Sequence, residues 1–400
     1  MEKIVIAGGG FAGISAGLSL KKCLSKTRAE LILIDKNPFH LFTPSLYEVA
    51  TSEEPQKNIA IPILEIFGNS IELITSEITK IDPKTRNVRL KGDREVSYDY
   101  LIIALGSEPA FYNIEGLEEY SFPLKTVTDA VKIKDSIHKL YDLKAPKKEM
   151  INIIVGGGGF SGTELAAELL EYVYKLSKEH NLPPDLIKVC IIAGSDKLLK
   201  ELDDHVSNIA TARLKKLGAD FIFGSHIKEV FQNKLTTDKD MEFLFDILIW
   251  TGGVKANSLL AGSGLPLSKS GQVAVNEFLQ VNDHKNIFAV GDIAEFIDPK
   301  SGKIAPWVAQ VAEEEGKVAA ENVIRSIEKK PLVSYKYKHF GYIVPLKGRY
   351  AVYEEGWLHI DGFFAWALQQ IVFLRYLLGI LPFYKAFKRW NEFEKELRQE

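Results

Sequence analysis

Lys3-Ile4-Val5-Ile6-Ala7-Gly8-Gly9-Gly10-Phe11-Ala12-Gly13 runs a short, β-branched segment straight into three glycines at G-x-G-x-x-G spacing. Its first five residues suit a buried parallel strand. An Ala- and Leu-rich stretch from about Ile14 to Leu24 suits a helix, and Leu31-Ile32-Leu33-Ile34 suits a second strand ending on Asp35. Gly8, Gly10 and Gly13 let the backbone approach a pyrophosphate, the helix N-terminus attracts its charge, and Asp35 stands where it can accept from ribose hydroxyls. The spacing alone is a weak signal. Strand, glycine turn, helix, strand and acid in that order make a dinucleotide fingerprint.

The pattern returns once. Ile151-Asn152-Ile153-Ile154-Val155 leads into Gly157, Gly159 and Gly162, a helix is expected from about Thr163 to Leu176, and the strand Ile187-Lys188-Val189-Cys190-Ile191-Ile192 follows. Two fingerprints imply two nucleotide sites, one per domain. Three further strands end in small-residue turns: Tyr98 to Ser107 around Ala104 and Gly106, Phe245 to Gly253 with Gly252 and Gly253, and Asn286 to Asp292 with Gly291. A helix is expected from about Trp307 to Ile327, and the last 65 or so residues are aromatic-rich and then amphipathic.

Four hundred residues at 44.8 kDa exceed one compact domain and suggest two or three. Hydrophobic residues make up 46% and charged residues 26%, which excludes a disordered or fibrous chain. Fifty basic against 53 acidic side chains give a net charge of −3, so no nucleic-acid partner is expected. Cys23 and Cys190 are too few for a disulfide framework or a thiolate metal site, and eight scattered histidines show no ligand spacing, so no metal is expected. Only Lys3 is basic ahead of the first apolar run, so a secretory leader is not expected and a cytoplasmic location is.

In these segments and their order the chain resembles the two-dinucleotide flavoproteins, and among them the type II NADH dehydrogenases (NADH:quinone oxidoreductases). Phe39-His40-Leu41-Phe42-Thr43-Pro44-Ser45-Leu46-Tyr47, Ala309-Gln310 and Phe363-Phe364-Ala365-Trp366 look specific to that branch. The resemblance implies an α/β fold of two Rossmann-like domains. An FAD domain would span residues 1–120 and 265–335, an inserted NAD(P)H domain residues 121–264, and a C-terminal membrane-docking helical region residues 336–400. FAD would occupy the first fingerprint and NAD(P)H, as substrate, the second. Asp35, with Lys36 beside it, would bind the adenosine ribose of FAD, and Asp292 the ribityl chain. His40, Ala104, Gly106, Gly291 and Ala309 would line the flavin. Glu164 would lie near the face on which flavin and nicotinamide stack, and the helix after Pro306 would aim its N-terminus at the flavin's pyrimidine side, where its dipole favours negative charge.

Two departures from the family pattern matter. Gln310 matches the quinone-side motif, but the family's second glutamine is Glu314 here, within Glu313-Glu314-Glu315; a carboxylate there can hydrogen-bond a quinone or supply a proton, and a solvated helix face is the other reading. The strand ending at Ile192 runs into Ala193-Gly194-Ser195 where an acid should accept from the NADH 2′-hydroxyl. Ser195 or Lys197 would then hold a 2′-phosphate, or Asp196 would replace the acid, so both NADH and NADPH stay open as donors.

Residues Phe363 to Leu378 are almost wholly apolar, about 24 Å as a helix and short of a bilayer core of roughly 30 Å. Gly379 and Pro382 should break the run. Beyond it Ile380, Phe383, Tyr384, Phe387, Trp390 and Phe393 share one arc, with Lys385, Lys388, Arg389 and Glu392 opposite, as in a helix lying in a headgroup layer. The expectation is a flavin-dependent enzyme, peripheral on the cytoplasmic face of a membrane, that moves a hydride from NAD(P)H to FAD and two electrons to a membrane quinone without pumping protons. A soluble reductase of a small redox protein, as ferredoxin and rubredoxin reductases are, and a flavin-bearing sensor stay open as alternatives, and so does a homodimer.

Overall fold

The structure is a computed structural model, and it describes residues 1–24, 29–51 and 59–396. The first glycine segment begins a parallel sheet. β1 (Glu2–Ala7) and β2 (Ala29–Asp35) pair in register, and β3 (Glu72–Thr75) and β4 (Tyr100–Ile103) extend the sheet on either side. The chain then leaves to build a second parallel sheet from β5 (Phe122–Pro123), β6 (Ile151–Gly156), β7 (Ile187–Ala193), β8 (Ala219–Phe223) and β9 (Ile247–Trp250), in the order β5-β9-β6-β7-β8. It returns with β10 (Ile287–Ala289) beside β4, completing the first sheet as β10-β4-β1-β2-β3. Each sheet thus places its fingerprint strand, β1 or β6, centrally, where both faces are covered. Ile4, Val5, Ile6 and Ala7 are fully buried for that reason.

Helix α1 (Phe11–Leu24) follows the first glycine turn and α2 (Phe160–Glu179) the second, so Gly13 and Gly162 lie inside the first turns of their helices. α3 (Ala309–Ile327) starts two residues later than expected, Val308 being still extended, and it packs along α1, where the Ser15 hydroxyl donates to the Glu313 carbonyl at 2.7 Å. Each sheet also carries a three-stranded antiparallel meander, residues 78–97 in one case and 227–244 in the other, which the sequence reading had not separated out.

The tail differs from the expected all-helical region. Its first part is a three-stranded antiparallel sheet of Tyr342–Pro345, Ala351–Glu355 and Leu358–Gly362, and only then do α4 (Phe363–Ile380) and α5 (Phe383–Glu396) follow. α4 runs through Gly379; the break falls at Leu381-Pro382, because a lone glycine only weakens a helix whereas proline cannot donate within it. At 18 residues α4 is roughly 27 Å long, and length and composition alone would let it cross a bilayer. One face, however, belongs to the protein core: Phe373, Tyr376, Leu377 and Ile380 are buried, while Phe363, Phe364, Ile371 and Leu378 are exposed on the other.

The aromatic arc of α5 is divided in the same way. Phe383, Tyr384 and Phe387 are exposed, but Phe393 is buried and Trp390 packs against the core. Its cationic arc is not wholly free either. Arg389 donates to Glu65 on the short helix Ile63–Phe67 at 2.7 Å, and Lys385 stands 3.6 Å from the same carboxylate. The reason is tertiary: α5 folds back along α4 onto the first domain, and two of its cations meet an acid there.

Phe373 lies between Phe42, 4.6 Å between ring centres, and Phe393, at 4.8 Å. Phe373→Ala should therefore cost about 3–5 kcal/mol of unfolding free energy, whereas Phe364→Ala, at a position 76% exposed, should change it by less than about 0.5 kcal/mol. Urea unfolding of the two variants in detergent-free buffer measures both; equal losses would show that α4 is not docked by this face.

Candidate functional site

The two sheets present their glycine turns at the carboxyl ends of the central strands, where open α/β sheets bind ligands. Gly8 turns with φ +113° and Gly157 with φ +129°. A β-carbon on Gly13 would overlap the Gly8 carbonyl oxygen, and one on Gly162 the Gly157 carbonyl oxygen. Close packing of helix on strand end therefore requires glycine at these positions. Gly10 and Gly159 are different: nothing stands within 4 Å of where their β-carbons would be. That open side is the cradle a pyrophosphate needs, bare backbone at a helix N-terminus, and on this observation both loops fit a dinucleotide.

Asp35 braces the first loop. Its carboxylate accepts from the Gly9 and Asn37 backbone N–H groups, each at 2.7 Å, at the end of β2 where the adenosine ribose of FAD would lie. Burial pushes its carboxyl up and these bonds pull it back down. Lys36 is exposed beside it. His40 is fully buried and spans two domains' worth of sequence: Nδ1 donates to the Gly9 carbonyl at 3.0 Å, and Nε2 accepts from the Tyr376 hydroxyl of α4 at 2.6 Å. These partners set the tautomer, and burial lowers the ring's pKa to about 4, so it stays neutral. The glycine loop and the tail are thereby joined through one imidazole.

Ala104 lies against Gly8 at the end of β4, and Gly106 begins the turn to Ser107. Ser107 donates to Asp292 at 2.5 Å and accepts from the Lys125 ammonium at 2.7 Å, with Lys125 3.8 Å from Asp292. Gly291 precedes Asp292 in the turn after β10. The sequence reading missed Lys125, and nothing local marks it: a lysine after Pro123-Leu124 gains meaning only when β5 carries it to the ends of both sheets.

Of the three consecutive glutamates on α3, Glu314 was singled out, and the fold turns it toward solvent, where it pairs with Lys317 at 2.5 Å. Of its neighbours Glu315 is buried and Glu313 half-buried. Glu315 accepts from the Gly291 N–H at 2.6 Å, and burial raises its carboxyl to about 8. Glu313 lies close enough to Arg375 and Tyr376 of α4 to feel the one and act on the other, and burial pushes its carboxyl up. Successive helical residues are 100° apart, so a register decided by α1 and α4 separates three identical side chains. Gln310 lines a small cavity with Val308, Tyr337 and Tyr342, under the tail sheet, and Ala309 is partly buried beside it.

Glu164, in the first turns of α2, is also held protonated to about 8 by burial, and it lies near the buried phenol of Tyr47. The helix of residues 46–51 thus packs on α2 close to the second glycine loop. Gly252 and Gly253 pack under the rings of Trp250 and Tyr112 respectively, and the Trp250 indole donates to the Ala110 carbonyl at 2.8 Å. Ser195 and Lys197 are turned to their own loop: the Ser195 hydroxyl donates to the Lys197 carbonyl at 2.6 Å, and the Lys197 ammonium to the Leu202 carbonyl at 2.9 Å and to Asp204 at 2.5 Å. Cys23 and Cys190 are both free, and burial pushes the Cys190 thiol up to about 12, far from thiolate chemistry.

Residues 2–316 match the family described as pyridine nucleotide-disulphide oxidoreductase. The type II NADH:quinone oxidoreductase of Staphylococcus saprophyticus is 26% identical over 353 residues, 86% of this chain and 87% of that protein. Its counterpart in Staphylococcus haemolyticus is 26% identical over 354 residues with the same coverage. Among solved structures, NDH2 from Plasmodium falciparum in complex with NADH superimposes with a TM-score of 0.85 at 19% identity over 98% of both chains. The sulfide:quinone oxidoreductase of Aquifex aeolicus gives 0.78 at 21% identity, over 97% of this chain and 92% of that one.

Gly13→Ala should lose about 3 kcal/mol or more even in flavin-stripped protein, because backbone must move. Gly10→Ala should leave the stripped protein's unfolding curve unchanged and lower its FAD content on reconstitution. Equal behaviour of the two variants would remove the distinction between a packing glycine and a cradle glycine. Glu315 gives a pH test. Between its ordinary value of 4.5 and about 8 the folded chain keeps a proton that the unfolded chain has lost, so its contribution makes stability fall as pH rises through that window. Glu315→Gln should flatten that fall, seen as a shallower dependence of the urea midpoint between pH 5 and 8; parallel curves would mean the carboxyl is ionised when folded.

Proposed function

The chain belongs to the pyridine nucleotide-disulphide oxidoreductase family, and from that premise we propose that it is an FAD-dependent NAD(P)H:quinone oxidoreductase docked on the cytoplasmic face of a membrane. The observation that carries the reading is the hydrogen-bonded line from Gly9 through His40 to Tyr376, which ties the first glycine loop to a helix with an exposed apolar face. A lipid-soluble acceptor has reason to meet such a surface beside a flavin; a soluble protein acceptor has none. That exposed face weighs against a reductase of a small redox protein, and the raised Cys190 thiol gives no support to disulfide chemistry.

Bound FAD would supply the hydride acceptor for NAD(P)H and the two-electron donor for quinone. The chain's own groups have narrower tasks. Gly8 to Gly13 and Asp35 would hold the pyrophosphate and ribose, and Asp292, braced by Ser107 and Lys125, would hold the ribityl hydroxyls. The N-terminus of α3, with Ala309 and Gln310 in its first turn, favours negative charge in front of it by about 0.3–1 kcal/mol, more where buried. Glu164, protonated at neutral pH, can donate a hydrogen bond or a proton beside Tyr47 at the start of the helix that follows the second glycine loop. The Ser107–Asp292 and Gly291–Glu315 pairs fix the end of β10 against α3.

α4 keeps one face in the protein, so the reading is attachment to one leaflet, with no path for protons through the bilayer. Phe363, Phe364, Ile371, Phe383 and Phe387 are the surface that would enter the headgroup layer.

Purified protein should carry FAD, lose its yellow colour on NAD(P)H addition and regain it with a soluble quinone analogue. Colourless protein that FAD cannot reconstitute would overturn the reading; reduction without reoxidation by quinone would overturn its acceptor half. Replacing both Phe364 and Phe387 by Ser should weaken sedimentation with anionic phospholipid vesicles about tenfold or more while leaving turnover of the soluble analogue within about twofold. Unchanged sedimentation would place the membrane contact elsewhere.

A further inference from the structure

The donor end of the second glycine loop has lost its acid and gained a base from another strand. β7 ends on Ala193, only 1% exposed, whose methyl group lies 2.8 Å from where a Gly158 β-carbon would stand. The strand end thus touches the phosphate loop, at the corner where a carboxylate would accept from a 2′-hydroxyl. Ser195 and Lys197 are committed to their own loop and to Asp204.

β8 runs parallel to β7 with Phe223 opposite Ala193, so the turn Gly224-Ser225-His226 emerges at the same corner. Two backbone bonds pin it there, Gly224 N–H to the Ser195 carbonyl at 2.7 Å and Ser225 N–H to the Ala193 carbonyl at 3.2 Å. The His226 imidazole lies on the bare backbone of Gly194, since a β-carbon on Gly194 would overlap its Nε2. Asp238 fixes the ring from behind. It accepts from His226 Nδ1 at 3.0 Å, from the His226 backbone N–H at 2.9 Å and from the Ser225 hydroxyl at 3.1 Å. These bonds hold the Asp238 carboxyl below the usual range, so it stays ionised. With Nδ1 occupied, Nε2 is the edge left over Gly194, and 71% of the side chain is exposed. The Lys239 ammonium stands beside the same turn, 3.5 Å from where a Gly224 β-carbon would be.

We propose that His226, oriented by Asp238 and flanked by Lys239, forms a subsite for the 2′-phosphate of NADPH. The proposal rests on the reading of the chain as an NAD(P)H-oxidising flavoprotein and specifies its donor. Donation from Nδ1 to Asp238 and from Nε2 to a phosphate oxygen would let the ring bridge the two, and the Lys239 ammonium adds a positive charge beside it. Asp238 spends three of its acceptor positions on Ser225 and His226, which binds its charge to the ring it orients. Asp196, exposed on the loop after β7, is the group that would accept from a 2′-hydroxyl instead.

The test is flavin reduction by NADPH and by NADH in the holoenzyme, for the wild type and for His226→Ala, Lys239→Ala and Asp196→Asn. His226→Ala and Lys239→Ala should each raise the KM for NADPH about tenfold and leave that for NADH within about twofold. A matching loss for both nucleotides would mean that the ring only packs on Gly194. A wild type that uses NADH alone, with Asp196→Asn raising the KM for NADH, would assign the corner to the 2′-hydroxyl and overturn the proposal. Binding of adenosine 2′,5′-bisphosphate against AMP, by calorimetry, separates this from the function itself. His226-dependent preference for the bisphosphate in a protein that neither nucleotide reduces would uphold the subsite and sink the enzyme reading; equal binding of the two would sink the subsite alone.

Discussion

At Gly8 and again at Gly157 the chain turns with positive φ, and the third glycine of each turn is packed so closely on the carbonyl of the first that a methyl group would overlap it. Because the helix starts that near the strand end, its first N–H groups face outward at the carboxyl edge of a parallel sheet, where a pyrophosphate fits and side chains do not. Two copies of this contact, each after the central strand of a five-stranded parallel sheet, give one chain a pair of glycine-lined cradles. The turns carrying Ala104, Asp292 and Gly252 follow β4, β10 and β9, whose ladder register sets where they emerge.

A second set of contacts joins the first cradle to the tail. His40 bonds the first loop to Tyr376, so a helix from the C-terminal end of the chain is held against residues from its beginning. α3 packs along α1 beside this contact, and its three glutamates are sorted by its rotation: one to the strand end at Gly291, one toward α4, one to solvent with Lys317. Buried carboxyls that keep their protons at neutral pH, Glu164 and Glu315, follow from the same enclosure. α4 and α5 can offer aromatic surface outward only because their other faces are satisfied inward, by Phe42, Phe373 and Phe393 and by the bonds from Arg389 and Lys385 to Glu65.

Much of this was legible from local pattern. β-branched runs, glycine spacing and the acid at Asp35 are short-range features, and each one constrains backbone geometry within a few residues, so both fingerprints, their strands and their helices could be read directly. The antiparallel meanders were not, because short strands with mixed polarity have no distinct period. The start of α3 and the break after α4 were misjudged by two or three residues for a similar reason: Gly379 and Trp307 are compatible with either state, and packing chose.

What the amino-acid order determined alone is the pair of cradles, since a turn that demands glycine admits no other solution wherever it is folded. Which side chains come to stand near the strand ends was decided in three dimensions. Glu314, Ser195 and Lys197 carry the right chemistry at the right distance along the chain, yet each is bonded to a neighbour. Lys125, Tyr376 and His226 come from segments with no motif, and sheet register or the folding back of the tail brings them against Ser107, His40 and Gly194, while helix rotation turns Glu315 to Gly291. A side chain's reach is a matter of what stands next to it in space, and spacing along the sequence records that only within a turn or two of backbone.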